Sequence, residues 1–279
     1  MKKILWLLPF LVFGCKKKDV TPAVPASTQL NVSYGTDPLQ KMDIYLPEGR
    51  SVATTKVIIM VHGGGWSEGD KNDFTPYVDS LKKRLPGYAI FNINYRLAVS
   101  GTNLFPTQEL DVQAAFEFIY NKRADYKISD KFVALGASAG GHLALQQSYK
   151  NNSVVKVKAV VDFFGPTELY SMYTYPINPL IPLQLIAVIG GNPATKAQAY
   201  HDGSPYNYVT AQCPPTIILQ GGADIVVDYT QSVILRDKLI TSGVTNQYVF
   251  YPSENHGWTG ANLTDSFDKI TAFLNAYVN

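Results

Sequence analysis

Residues 131–149 read KFVALGASAGGHLALQQSY, and three kinds of segment meet inside that stretch. Phe132 to Leu135 is a continuous apolar run, the mark of a strand buried on both faces of a sheet. His142 to Tyr149 reads as a helix rich in leucine, alanine and glutamine. Between them stands Gly136-Ala137-Ser138-Ala139-Gly140, a G-x-S-x-G sequence. A strand that turns abruptly into a helix needs small residues around the turn, because the backbone passes close on either side. Such a turn lifts the Ser138 hydroxyl to the carboxyl end of the sheet, beside the positive end of a helix. The stretch therefore points to an α/β architecture that presents Ser138 as a nucleophile.

Outward from this turn the chain alternates between strands and helices. LNVSY (30–34) and KMDIYL (41–46), joined by a turn at Thr36-Asp37-Pro38, read as an antiparallel edge. KVIIMV (56–61), YAIFNINY (88–95), VKAVVDFF (157–164), TIILQG (216–221) and NQYVFY (246–251) supply further strands. Phe74, Tyr77, Val78, Leu81 and Leu85 recur at helical spacing, as do Val112, Ala115, Phe116 and Ile119. Amphipathic helices are also expected at 229–241 and 264–278. This order implies an α/β fold with a mostly parallel sheet of about eight strands, covered by helices on both faces. Residues 166–206 break the rhythm with six prolines and five tyrosines, and one short helix is expected there near 180–189. That segment reads as a lid-like insertion in a single catalytic domain spanning 30–279.

Composition restricts the function classes. Hydrophobic residues make up 46% and charged residues 16% of the 279, which describes an ordinary globular chain. A net charge of +2 gives no electrostatic case for nucleic acid. The amino terminus reads as a targeting signal, with Lys2 and Lys3 followed by the apolar stretch Ile4 to Phe13 and then Gly14-Cys15. That apolar stretch is too short to span a bilayer, which takes about 20 residues. A small residue directly before a cysteine resembles the lipobox of bacterial lipoproteins. The resemblance implies that residues 1–15 form a signal ending in a lipidated Cys15, and that the protein is exported and anchored at the bacterial cell envelope. Residues 16–29, KKKDVTPAVPASTQ, hold little to bury and read as a flexible tether. Cys213, the one other cysteine, then has no intramolecular partner, and neither cysteine has the neighbours of a metal site.

A second segment bears on chemistry. Strand KVIIMV runs directly into His62-Gly63-Gly64-Gly65-Trp66. Acyl transfer creates an oxyanion, which preorganised backbone amides stabilise, and glycines leave those amides accessible. An HGGG-type loop after the third strand is the usual companion of the Ser elbow, so the amides of Gly64, Gly65 and Ala139 are the expected donors. A hydroxyl also needs a base, and the base an acid that orients it. With this elbow they follow in the order Ser, acid, His. Of four histidines, His62 belongs to the glycine loop, His142 to the helix after the elbow, and His201 to the irregular segment. His256, in the loop SENHGW after the last strand, is the expected base. Asp224, in GGADIVV after strand TIILQG, is the expected acid. Asp228 is its nearest rival and suits a cap on the next helix, while Asp162 lies inside a strand and suits a structural role.

These residues resemble the α/β-hydrolase superfamily, and within it the compact bacterial carboxylesterases of acetylxylan and feruloyl esterase type, related to the hormone-sensitive lipase group. The resemblance covers residues 38–278. It rests on HGGGW (62–66), NYRLA (94–98), FPTQELDVQAAFEFI (105–119), GASAGGHLAL (136–145), FFGPTEL (163–169), SPYNYV (204–209), PPTIILQGGADIVV (214–227) and HGW (256–258). It implies ester hydrolysis through an acyl-enzyme, with Ser138, Asp224 and His256 as the triad and no metal or organic cofactor. The substrate it implies is a small or polysaccharide-linked ester, with acetyl and feruloyl groups as the expected acyl parts. Trp66, Tyr170 and Trp258, with Tyr173 and Tyr175, are expected to form an aromatic rim for a sugar or phenolic ring, or else to pack the long loop onto the sheet. An amidase or peptidase would use the same triad, and a non-catalytic surface binding protein could use the same scaffold. Both remain alternatives at the level of sequence.

Overall fold

Strands that lie inside a sheet with both faces covered must be apolar along their whole length, and four here are buried almost end to end. A computed structural model describes residues 23–150 and 153–279. The expected signal sequence, Cys15 and the lysine-rich start of the expected tether lie outside the described residues. In chain order the elements are β1 (Ser27–Ser33), β2 (Lys41–Leu46), β3 (Lys56–Val61), α1 (Thr75–Arg84), β4 (Tyr88–Ile93), α2 (Thr107–Asn121), α3 (Arg123–Tyr126), β5 (Phe132–Ala137) and α4 (Ala139–Tyr149). They continue with β6 (Val157–Phe163), α5 (Leu169–Thr174), α6 (Leu180–Ile189), α7 (Pro193–Asp202), β7 (Thr216–Gly221), α8 (Thr230–Thr241), β8 (Asn246–Tyr251) and α9 (Gly260–Tyr277). β3, β4, β5 and β7 are the strands buried almost end to end.

The eight strands form one sheet in the order β1-β2-β4-β3-β5-β6-β7-β8. β2 pairs antiparallel with both β1 and β4, and every pair from β4 to β8 is parallel. The order reverses at β3, with β4 on one side and β5 on the other. Connections leaving two neighbouring strands in opposite directions open a crevice at their carboxyl ends, where α/β proteins place ligands. Here the two segments that border that crevice are the glycine loop after β3 and the Ser138 elbow after β5.

Two apolar layers flank the sheet. On one face α1 and α9 pack through Val78, Leu81, Phe267, Ile270 and Leu274 onto Ile58, Met60, Leu135 and Val161. On the other, α2, α4, α8 and the insertion cover Ile59, Val61, Ala134 and Val160. The motifs NYRLA and FPTQELDVQAAFEFI meet in this second layer, where the Arg96 guanidinium donates to both oxygens of Asp111 on α2.

Two sequence expectations need correction. The tether ends earlier than residue 29, since β1 begins at Ser27 and the Gly49 amide already donates to the Val24 carbonyl. Polar residues suit this strand because it is an edge, exposed along most of its length, and backbone pairing with β2 holds it. The insertion also holds three helices and not one. Its prolines start helices more than they break them: Pro193 opens α7 under an Asn192 cap, and Pro182 lies in the first turn of α6. Glu168 caps α5 by accepting from the Tyr170 and Ser171 amides.

Candidate active site

Ser138 sits between β5 and α4 with φ 55° and ψ −124°, a left-handed conformation that costs a residue with a side chain roughly 1–3 kcal/mol. Crowding on both sides holds it there. A Cβ at Gly136 would stand 2.1 Å from the Gly140 carbonyl oxygen, and one at Gly140 would stand 2.0 Å from that of Val61. The Ser138 amide donates to the Phe163 carbonyl at 2.8 Å, so β6 fixes the turn from a third direction.

The hydroxyl meets His256, whose Nε2 lies 2.9 Å from Ser138 Oγ. The opposite ring nitrogen, Nδ1, lies 2.8 Å from Asp224 Oδ2. An ionised carboxylate only accepts, so Nδ1 carries the proton and Nε2 is free to accept from the serine. Asp224 is buried, and its other oxygen accepts from the amides of Val226 and Val227 at 2.8 and 2.9 Å. Gln220 of β7 donates to Oδ2 at 3.2 Å while its own carbonyl accepts from Ser232. Asn255 ties the acid and base loops together, accepting from the amides of both His256 and Ile225. The Phe164 ring packs 4.6 Å from the imidazole.

On the other side of Ser138 lies the glycine loop. Gly64, Gly65 and Trp66 all take positive φ, at 96°, 54° and 62°. For a tryptophan that is a strained conformation, and three contacts hold it: the Trp66 carbonyl accepts from the Ala98 amide, the indole N–H donates to His142 Nδ1, and Gln184 of α6 donates to the Gly65 carbonyl. Tyr95 Oη lies 3.0 Å from both the His62 and the Gly63 carbonyls. The Gly64 carbonyl accepts from Ser67 and Glu68. These bonds use carbonyls, and among the described residues none of them takes up the amides of Gly64, Gly65 or Ala139.

A BD-FAE family model matches residues 42–239, a span that includes the glycine loop, Ser138 and Asp224. The chain belongs to the BD-FAE family. Esterase LipC of Mycobacterium tuberculosis is 25% identical to this BD-FAE chain over 261 residues, covering 88% of the chain and 64% of the relative. The chain spans between half and about two thirds of the length of LipC and two further mycobacterial relatives, LipM and LipQ. Among solved structures, a bifunctional GH43-CE of Bacteroides eggerthii superposes with a TM-score of 0.79 at 27% identity, over 89% of this chain and 38% of that one. A truncated form of a carbohydrate esterase from gut microbiota superposes at 0.76 with 25% identity, over 90% and 95% of the two chains. The fold is that of the α/β-hydrolases.

The BD-FAE framework sorts the remaining candidates. His142 is buried, and burial pushes its pKa down to about 4, so the ring stays neutral. Its Nε2 donates to the Gly203 carbonyl while Nδ1 accepts from Trp66, which makes it a strut between α4, the glycine loop and the insertion. His62 is buried as well, stacked at 4.3 Å on Tyr95. His201 is exposed beside Asp202. Asp228 accepts from the Thr230 amide at the start of α8, and Asp162 accepts from Gly165 inside the core.

The expected aromatic rim is corrected in part. Trp66 and Trp258 are buried, the latter with its indole N–H on Ser266, because each has a hydrogen-bond partner inside the fold, while Trp258 also lines an apolar cavity near the site. Tyr173 packs edge-on against Tyr200. Tyr170 and Tyr175 stay exposed on the insertion. Sequence reasoning passed over Tyr95, Gln220, Asn255 and Gln184. Tyr95 and Gln220 lie inside the motifs NYRLA and PPTIILQGGADIVV, and Asn255 directly precedes His256, which are the signals that could have flagged them.

Proposed function

We propose that this chain is a serine carboxylesterase that works through an acyl-enzyme. The observation that carries the reading is the continuous relay from Ser138 Oγ through His256 to the buried Asp224, facing a loop whose amides are unspent. His256 takes the serine proton as Oγ attacks the ester carbonyl, and Asp224 stabilises the imidazolium that forms. The amides of Gly64, Gly65 and Ala139 receive the developing oxyanion. The imidazolium then returns its proton to the leaving alcohol, and water repeats the sequence to release the acid. Similarity to the carbohydrate esterase supports a carbohydrate-linked ester as substrate, and the motif resemblance supports acetyl and feruloyl groups as the acyl parts.

The amino-terminal pattern Lys2-Lys3, Ile4 to Phe13 and Gly14-Cys15 supports export and lipidation at Cys15, with the following lysine- and proline-containing residues as a tether to the membrane. A mass spectrum of the mature amino-terminal peptide, with Cys15→Ser as control, tests that part. For the chemistry, Ser138→Ala should lower hydrolysis of p-nitrophenyl acetate by roughly a million-fold and abolish labelling by a fluorophosphonate. Full activity in that variant would sink the reading.

A further inference from the structure

On the α1 and α9 face, the carboxyl ends of β3, β5 and β6 leave an apolar cavity of about 130 Å³. Met60, Tyr77, Ala137, Phe164, Gly257 and Leu263 are among its walls, and no lining residue is charged. Three of its walls stand next to the reacting groups. Ala137 precedes Ser138, Gly257 follows His256, and the Phe164 ring lies against the His256 imidazole. Apart from its chain neighbours His256 and Trp258, a Cβ at Gly257 would have only Phe164 Cζ within 4 Å, at 3.9 Å.

We propose that this cavity receives an uncharged apolar arm of the ester, a phenyl ring or a chain of about four to six carbons. The inference rests on Ser138 being the nucleophile. A dry cavity of similar size lined by apolar side chains takes up benzene. A charged arm would lose its hydration there and find no partner. Each buried methylene raises affinity about fourfold. The opposite side of the nucleophile is more polar, since Gln184 reaches over Gly65 from the insertion. A hydroxyl-bearing arm therefore belongs under the insertion and the apolar arm in the cavity. The apolar arm can be the acyl chain or the alcohol, and the same chemistry serves either.

Leu263 of α9 is half-buried at the cavity wall and has no part in the relay. Leu263→Trp fills the cavity and Leu263→Ala enlarges it. Release of acid from methyl acetate, methyl butanoate, methyl hexanoate and methyl cinnamate varies the acyl arm. Methyl, butyl and benzyl acetate vary the alcohol. Leu263→Trp should lower kcat/KM for the larger members of one series at least tenfold more than for methyl acetate, which identifies the arm. Leu263→Ala should raise the same members several-fold. Unchanged ratios to methyl acetate in both series and both variants would overturn the proposal. Binding of methyl cinnamate to the Ser138→Ala chain checks the cavity without turnover. Adding Leu263→Trp should weaken it at least tenfold, and equal binding would overturn the proposal even where hydrolysis stands. A chain that binds but hydrolyses no ester fails the esterase reading alone.

Discussion

The two halves of the site are built from different material. On the β3–β5 side the working groups are backbone: amides of a glycine loop and of an elbow, held by φ values that few residues adopt. On the β7–β8 side they are side chains, Asp224 and His256, on loops laced by Gln220 and Asn255. The first half is protected by crowding, since even one methyl at Gly136 or Gly140 collides with main chain. The second is protected by hydrogen-bond satisfaction, because a buried carboxylate without donors would lose its charge. Geometry made of backbone tolerates almost no substitution but shows its composition openly. Geometry made of side chains is easier to alter and harder to read.

Substitutions on each side test that contrast. Asp224→Asn keeps the shape of the side-chain half but removes the charge that sets the His256 tautomer. It should lower kcat by about 10⁴ with little change in far-UV circular dichroism or thermal midpoint. Gly65→Ala attacks the backbone half through shape alone. Alanine keeps the amide, but its methyl would stand 1.6 Å from Gln184 Nε2 at a φ of 54°, so displacement of this oxyanion donor should cost up to about 10²–10³ in kcat. Gln184→Ala in the same chain should recover part of that loss, because it removes the clash and leaves the φ penalty. No recovery would mean that backbone strain dominates.

Smaller effects fall on the supports. Trp66→Phe removes the indole donor to His142 and should destabilise by about 1 kcal/mol in urea unfolding, with KM for a short ester nearly unchanged. A marked rise in KM would return Trp66 to the substrate. Asp162 gives a pH signature. Burial pushes its carboxyl up to about 7, so the folded state prefers the protonated form. Its contribution is therefore fully present below the unfolded value near 4, declines as pH rises towards about 7, and is flat above. Asp162→Asn stays neutral and can still accept from Gly165, so urea midpoints of variant and parent should diverge between pH 4 and 7, with the variant the more stable at the upper end. Parallel curves would refute the assignment.

Legibility followed the same division. The inner strands can be read from apolar runs, because a strand covered on both faces has no polar side to hide. The exception was the start of β1, where an exposed edge needs only backbone partners and so looks like linker. The insertion misread for a related reason. Proline in a sequence suggests a break, whereas in α6 and α7 it occupies first turns, where the missing N–H costs nothing. Tyr95 and Gln220 looked like strand residues, because only the fold brings one beneath the glycine loop and the other beside Asp224.

By itself the sequence determined the α/β class, the Ser138 elbow and the glycine loop, because their steric demands are local and leave only small residues at each position. Tertiary structure alone decided that His256 meets Ser138 and Asp224 at hydrogen-bonding distance, across separations of 118 and 32 residues. It also turned Trp66 and Trp258 inward and opened an apolar cavity beside the site. Such contacts depend on packing between elements distant in the chain, and local composition carries no record of which partner an indole or a carboxylate will find.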